Sequence, residues 1–360
     1  MEIKEMKMPS TRINDVVRVI GLGFLLAMAS AAASAAPAAD SGLAVQQRWQ
    51  VGGPGGWDYL SLDSSGQRLF VSRGSRVDVV STQSGKVVGT IPDTNGVHGI
   101  ALAEDLRRGY TSNGKANSVT AFDLDSLKTI QEAKVPGSNP DAILYEPTAK
   151  HVFTFNGKSK DVTVLDAVTL QIAATLPVPD KPEFAVDDGA GHIYVNIESD
   201  PGQMVVIDSR ALSVQDTWPL PGCASPSGLA IDRIHQRLFS VCDGKVMVVT
   251  DGKTGHQVAR VAIGGQPDAA AYDSKRGLVF SSNGDGTLTA ARQDSPDRYR
   301  VISALATQRG ARTMALDPVS GKIYLATAEF GPTPPATPDQ PHPRPSLVAD
   351  SFTILVVGAR

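Results

Sequence analysis

Short apolar–polar alternations recur along the chain after about residue 40, and no repeat unit holds the 3.6-residue apolar stripe of an amphipathic helix. An aromatic residue closes a turn-then-strand segment at Phe70, Tyr110, Phe153, Tyr194, Phe239, Phe280 and Tyr324, with spacings of 40, 43, 41, 45, 41 and 44 residues. Seven residues before each aromatic stands Asp63, Ala103, Glu146, Asp187, Asp232, Asp273 or Asp317, acidic in six of the seven units. A turn such as Asp63-Ser64-Ser65-Gly66-Gln67-Arg68 lies between the two. The acid can bond backbone N–H groups there, and glycine supplies a positive φ.

Each unit reads as four strands. A small, apolar segment comes first (Gly99–Leu102, Ala142–Tyr145, Gly228–Ile231, Ala269–Tyr272) and the aromatic strand second (Arg68–Ser72, His192–Asn196, Lys322–Ala326). An alternating third strand follows (Val162–Asp166, Met204–Asp208), then a fourth (Val87–Ile91, Ile172–Leu176, Gln257–Ala262). Short strands at regular spacing mean a sandwich, barrel or propeller. A four-strand unit repeated at this period selects an all-β, seven-bladed β-propeller of antiparallel blades. Small residues such as Ala269-Ala270-Ala271 suit the innermost strands, which converge on the axis.

The closure follows from the two ends of the repeat. Unit seven, from about Gly310, ends on a third strand, Phe352–Val357, with no fourth after it, while Val45–Val51 is a strand with no unit of its own. Pairing them completes blade seven, so residues 43–360 are expected to form one domain. Blade seven also carries a Pro-rich insertion at 331–350, which leaves from the rim where second strands end. Such a run is expected to be extended or disordered, serving as a lid, as a polyproline strip for a partner or as a tolerated surface loop.

The segments Tyr110-Thr111-Ser112-Asn113, Phe153-Thr154-Phe155-Asn156, Tyr194-Val195-Asn196 and Phe280-Ser281-Ser282-Asn283 resemble the Tyr-Val-Thr-Asn strand of YVTN-repeat propellers. With Asp123, Asp166 and Asp208 closing third strands, the chain resembles the YncE-like family over roughly residues 43–360. The pattern departs at Ala103, at Phe239-Ser240-Val241-Cys242 and at Tyr324-Leu325-Ala326-Thr327. The resemblance implies the propeller fold, a periplasmic location and an association with DNA binding. It assigns no function, because propellers of this kind host binding proteins and enzymes alike.

Composition changes the picture mainly at the start of the chain. Lys4, Lys7, Arg12 and Arg18 precede an apolar run from Val19 to Ala29 and small residues up to Ala36. That order reads as a secretory signal peptide over residues 1–35, cut after Ala33-Ser34-Ala35, with an uncleaved anchor as the alternative. Its removal takes away four basic and three acidic residues and moves the net charge from −3 to −4. The expected location is the periplasm or the outside of the cell. No apolar run long enough for a membrane span follows. The mature chain is expected to be a monomer.

Antiparallel strand order places first-strand starts and second-strand ends on one rim. Five residues before the turn positions stand Asp58, His98, Asp141, Ser227, Asp268 and Arg312, with Glu183 one residue out of register in blade four. This ring of carboxylates, one imidazole and one guanidinium is the candidate ligand site, with Asn113, Asn156 and Asn283 a little further from the axis. Strand entry and a wet channel lining are the plainer reading of the same residues. No resident cofactor is indicated; a hard cation such as Ca²⁺ is the alternative, held by carboxylates and asparagine carbonyls. Cys223 and Cys242 fall on neighbouring strand ends of blade five, so a disulfide is expected in an oxidising compartment, with two free thiols as the alternative.

The other candidate chemistry is thin. His151, His192 and His235 sit in turns of the opposite rim, where no metal role is assigned. The chain has no CxxC, HExxH, GxSxG or dinucleotide glycine pattern, and Asn156-Gly157-Lys158-Ser159 only echoes a phosphate loop. Three functions follow as expectations. The first is non-enzymatic binding or scaffolding through the acidic rim, with a small molecule or periplasmic protein as partner. The second is a lactonase-like hydrolase using His98, Arg312 and the ring carboxylates. Single-stranded DNA binding, implied only by the resemblance, is the third; it needs a positive groove and exposed aromatics.

Overall fold

The computed structural model describes residues 42–337, 343 and 345–360. Residues 1–35, read as a signal peptide, lie outside the described residues, as do Asp339, His342 and Arg344 of the insertion. Among the described residues the chain forms seven four-stranded antiparallel sheets, built from strands numbered β1 to β28 in chain order. No helix there is long and apolar enough to cross a membrane.

Six sheets are consecutive meanders. The seventh joins β1 (Leu43–Gln50) to β28 (Thr353–Ala359), which continues to β27 (Ile323–Thr327) and β26 (Thr313–Leu316). The β1–β28 ladder runs from Leu43 opposite Ala359 to Gln50 opposite Thr353, with one bulge at Gln46, so both chain ends complete blade seven as expected. Trp49 packs against Tyr324, ring centroids 5.6 Å apart.

The repeat aromatics are the centres of the blades. All seven are at most 2% exposed. Two of the tyrosines also bond across to the next blade: Tyr110 Oη donates to the Ala167 carbonyl at 2.5 Å, and Tyr194 Oη to that of Gly252 at 2.8 Å. The turn acids are buried and accept backbone N–H groups of their own turns. Asp63 takes those of Gln67 and Arg68 at 2.9 and 3.1 Å, and Glu146 takes that of Ala149 at 2.7 Å. Blade two, where Ala103 replaces the acid, uses a 3-10 turn at Glu104–Leu106 instead.

Blade four corrects the expected register. Its turn is one residue longer, since Asp187 pairs with Ile193 where Asp232 pairs with Arg237 in blade five. The acid that caps this turn is Asp188, which accepts the N–H groups of Ala190 and His192, while Asp187 binds Arg233. Counted from Asp188, Glu183 is back in step with the other ring residues. The inner strands are also longer than the apolar segments that announce them: Val97–Ala103, Pro140–Glu146, Ala224–Asp232 and Pro267–Asp273. They come so close near the axis that a Cβ on Gly228 would lie 2.6 Å from the Asp268 carbonyl of the next blade.

Cys223 and Cys242 form a disulfide with a Cα–Cα distance of 5.2 Å and a sequence separation of 19. The insertion starts as a short ladder: Phe330 bridges Leu347, and Gly331 N–H donates to the Ser346 carbonyl at 2.8 Å.

Two measurements check this architecture. Deleting residues 43–51 should lower the melting temperature by about 10 °C or more, because blade seven loses an edge ladder and the Trp49 contact together. Removing nine residues from the insertion, 334–342, should cost far less. Replacing both cysteines with serine should cost about 3 kcal/mol in a chemical melt, the chain-entropy value for a loop of this length. Denatured, unreduced protein should show no titratable thiol.

Candidate functional site

Five of the seven ring residues stand where the inner strand bulges, while Asp58 and Arg312 stand just before theirs. Regular pairing with the second strand is interrupted between Val97 and Ile100, Pro140 and Ile143, Pro182 and Ala185, Pro226 and Leu229, and Pro267 and Ala269. These gaps hold His98, Asp141, Glu183, Ser227 and Asp268. A bulge leaves the extra residue out of the ladder and re-aims its side chain. Proline, with no N–H to give to a ladder, is tolerated at such points, which accounts for the prolines one residue earlier.

In four blades the backbone around the ring residues is tied from the second strand, by a polar residue two positions after the repeat aromatic. Ser112 Oγ accepts the Gly99 N–H at 2.9 Å and donates to the Asp141 carbonyl of the next blade. Ser282 donates likewise to the Arg312 carbonyl. Asn196 Nδ2 reaches the carbonyls of Ser227 and Gly228 at 2.8 and 3.2 Å, and Ser72 Oγ accepts the Asp58 N–H at 3.1 Å. These ties fix the ring backbone to its neighbours.

All seven ring positions line one axial cavity of about 320 Å³. The three asparagines do not join them. Asn113, Asn156 and Asn283 are fully buried, and each carboxamide is consumed within its own blade. Asn113 Nδ2 donates to Ser118 and Thr120 hydroxyls, Asn156 Nδ2 to Asp161 and Thr163, and Asn283 Nδ2 to Thr287 and Thr289. A hydroxyl two residues earlier, on Thr111, Thr154 or Ser281, holds the amide oxygen. These asparagines clamp the hairpin between second and third strands.

The cavity has members the repeat did not announce. Tyr59 and Phe184 stack with centroids 5.6 Å apart and planes 9° apart, linking blades one and four. Each directly follows a ring residue, and that adjacency was the available signal. Lys181 also lines the cavity and pairs with Glu183 at 2.7 Å and with Glu198. Glu198 lies two residues past the expected end of its strand.

Charges are arranged in clusters. His98 Nδ1 is 2.6 Å from Asp58 Oδ2 and 3.8 Å from Asp141 Oδ1; Arg312 Nε is 3.4 Å from Asp268 Oδ2. Burial lowers the His98 pKa, but the bond to Asp58 and the charges of Asp141 and Glu183 outweigh it and leave it raised. Burial and the neighbouring acids Asp58 and Asp141 push Asp268 up to about 7, despite Arg312. Asp141 and Glu183 move upward as well, chiefly from burial. Lys181 is raised, because its two glutamates outweigh desolvation.

Asp58, His98 and Asp141 bring ligand atoms within 4.8 Å of one another and are the residues that would hold a metal. The oxygen-rich set expected for Ca²⁺, about six to eight oxygens, is not assembled, because the asparagines that would complete it are turned into their blades. A second cavity, about 430 Å³, adjoins the first and shares Asp58, Arg312 and Thr313 with it. Trp57, Phe330, Pro345 and Leu347 wall it, so the foot of the insertion stands beside the mouth.

No family model matches the chain. Over 146 residues it is 25% identical to the uncharacterized protein YncE of Salmonella typhi and 24% identical to that of Salmonella typhimurium. Each match covers 39% of this chain and 41% of the relative, so the alignment spans well under half of either. The chain thus resembles the YncE-like propellers, as its repeat does. Among solved structures it is similar to a chain of Kuenenia stuttgartiensis hydrazine synthase (TM-score 0.68, 16% identity, covering 76% of this chain and 93% of that one). It also resembles U3-55K (TM-score 0.71, 9% identity, 89% and 99%) and the RRP9 WD40 repeats (TM-score 0.70, 9% identity, 89% and 98%). At these identities the likeness is one of fold.

The electrostatics carry a signed prediction. A carboxyl whose folded pKa is raised favours folding while protonated, and that contribution is lost as pH rises through the folded value. His98, also raised, acts in the same sense. The melting temperature should therefore fall between about pH 5.5 and 8.5, by at least the roughly 2–4 °C that accompanies 1 kcal/mol in a large domain. Asp268→Asn should flatten that fall, as read by calorimetric melts at each pH.

Proposed function

We propose that this YncE-like propeller is an exported, non-enzymatic binding protein that takes a small polar ligand in its axial cavity. The carrying observation is the convergence of all seven inner strands, each through a ring residue, on one half-enclosed cavity with charged walls and an aromatic pair. A wet channel needs neither the bulges nor the inter-blade ties that hold these residues. Ligand sites in proteins combine a concave, partly apolar wall with a few placed polar groups, which matches this composition. Export is supported by the basic, apolar and small-residue order at the start of the chain and by the disulfide.

One contact favours a second reading, the lactonase-like hydrolase. Asp58 bonds His98 Nδ1, which would fix the imidazole so that Nε2 can take a proton from water, the way a carboxylate orients a catalytic histidine. Single-stranded nucleic acid is disfavoured at this rim, because its phosphates would meet a surplus of carboxylates.

The readings separate in solution. A thermal-shift screen of the purified protein against small polar compounds should yield a ligand. Its affinity should drop by at least about tenfold in Tyr59→Ala and in Phe184→Ala, from lost apolar contact. A lactone panel should give no turnover; hydrolysis that disappears in His98→Ala would move the assignment to the hydrolase. N-terminal sequencing of periplasmic or secreted protein should begin at Ala36.

A further inference from the structure

We propose that the ligand of the axial cavity is a small organic cation bearing an ammonium or guanidinium group. This rests on the binding role above and adds the chemical class.

Charge is unevenly matched within the clusters of the wall. Asp58 and Asp141 share the single imidazole of His98 at 2.6 and 3.8 Å. Glu183 and Glu198 share the single ammonium of Lys181, the first at 2.7 Å. Arg312 is committed to Asp268 at 3.4 Å. Five carboxylates, four of them on the cavity wall, therefore accompany three cationic groups, and each cationic group already has an acidic partner. An anionic ligand would have to pull Lys181 or Arg312 off its carboxylate. A neutral ligand would leave the surplus to be met by protons held on the buried acids, in a cavity where charges are weakly screened. A cation compensates it and disturbs no existing pair.

The rest of the wall says that this cation is organic. The cavity of about 320 Å³ is on the order of ten times the volume one liquid water takes up, so a bare ion would leave most of it to solvent. Asp58 Oδ2 and His98 Nδ1 also bond each other, which opposes their use as a joint metal clamp. Tyr59 and Phe184 offer stacked rings against which an alkylammonium can lie, by apolar contact and by attraction to the ring faces. Between Arg312 and Met314, the Thr313 hydroxyl is buried (7% exposed) and has no hydrogen-bond partner among the described residues. The residue itself lines the cavity. Near neutral pH, Asp268 and Glu183 are held part-protonated, chiefly by burial and also by the neighbouring acids. A cation reverses that balance, so its binding expels protons.

The test is titration calorimetry on the mature protein with 1,4-diaminobutane, agmatine and choline, beside glucose, gluconate and Ca²⁺. At least one ammonium or guanidinium probe should bind. It should release protons, seen by comparing buffers of different ionisation enthalpy, and weaken by about tenfold or more from about pH 7.5 to 5.5. Asp141→Asn and Asp268→Asn should weaken it by about tenfold, whereas Lys181→Met, which frees two glutamates, should tighten it. Misfolding cannot produce effects of opposite sign. Binding of glucose, gluconate or Ca²⁺ without any organic cation would overturn the cation class and leave the binding role standing. Weakening in Lys181→Met, with no effect of the two Asn variants, would overturn it too. No binding by any probe at millimolar concentration would overturn both.

Discussion

A ring of blades has to close, and here closure rests on the antiparallel ladder between Leu43–Gln50 and Thr353–Ala359. Each of the other six sheets is made by residues near one another in sequence, so a sheet can form without the ring. The axial cavity cannot. Its wall takes Asp58 from the first blade and Arg312 from the last, and those two positions come together only when the chain ends pair. The site is therefore a property of the closed ring.

Within the closed ring, the bulges turn a structural repeat into a set of differing side chains. A regular inner strand alternates its side chains, which would put consecutive residues on opposite faces. In five blades a bulge relaxes that rule at one point and leaves backbone groups out of the ladder. Ser72, Ser112, Asn196 and Ser282 bond backbone groups around the ring residues, three of them in the following blade. The same devices let Tyr59 and Phe184 stand beside Asp58 and Glu183 on one wall. Repetition provides the frame, and the residue in each bulge is free to differ.

The electrostatic character of the wall is costly for a structural element. Buried carboxylates with raised pKa values, two acids to one imidazole and two to one ammonium, do not add stability at neutral pH. The turn acids show the contrast: Asp63, Asp188 and Asp232 are also buried, but hydrogen bonds more than repay burial and their pKa values fall. One set of acids holds turns together on one rim. The other carries strain at the opposite end of the same strands, where departures from local consistency mark function.

Much of this was legible in the residues. The period of the aromatics, the acidic turns and the orphan strand at Val45–Val51 determined seven four-stranded blades and their closure, because strand patterning and turn chemistry are local and repeat. The ring positions followed from antiparallel order, and the disulfide from that order together with the expected oxidising compartment. Three things were decided only by the tertiary structure. A turn one residue longer shifted blade four onto Asp188, since of the two adjacent acids Asp188 takes the N–H groups of Ala190 and His192 while Asp187 pairs with Arg233. The asparagines turned inward, because their amides find partners on the third strand that no spacing rule names. The stack of Tyr59 on Phe184 and the sharing of Lys181 by Glu183 and Glu198 joined residues far apart in the chain or on different strands. Sequence determined where polar groups would start each inner strand; only the closed ring decided which of them would meet, and with what surplus of charge.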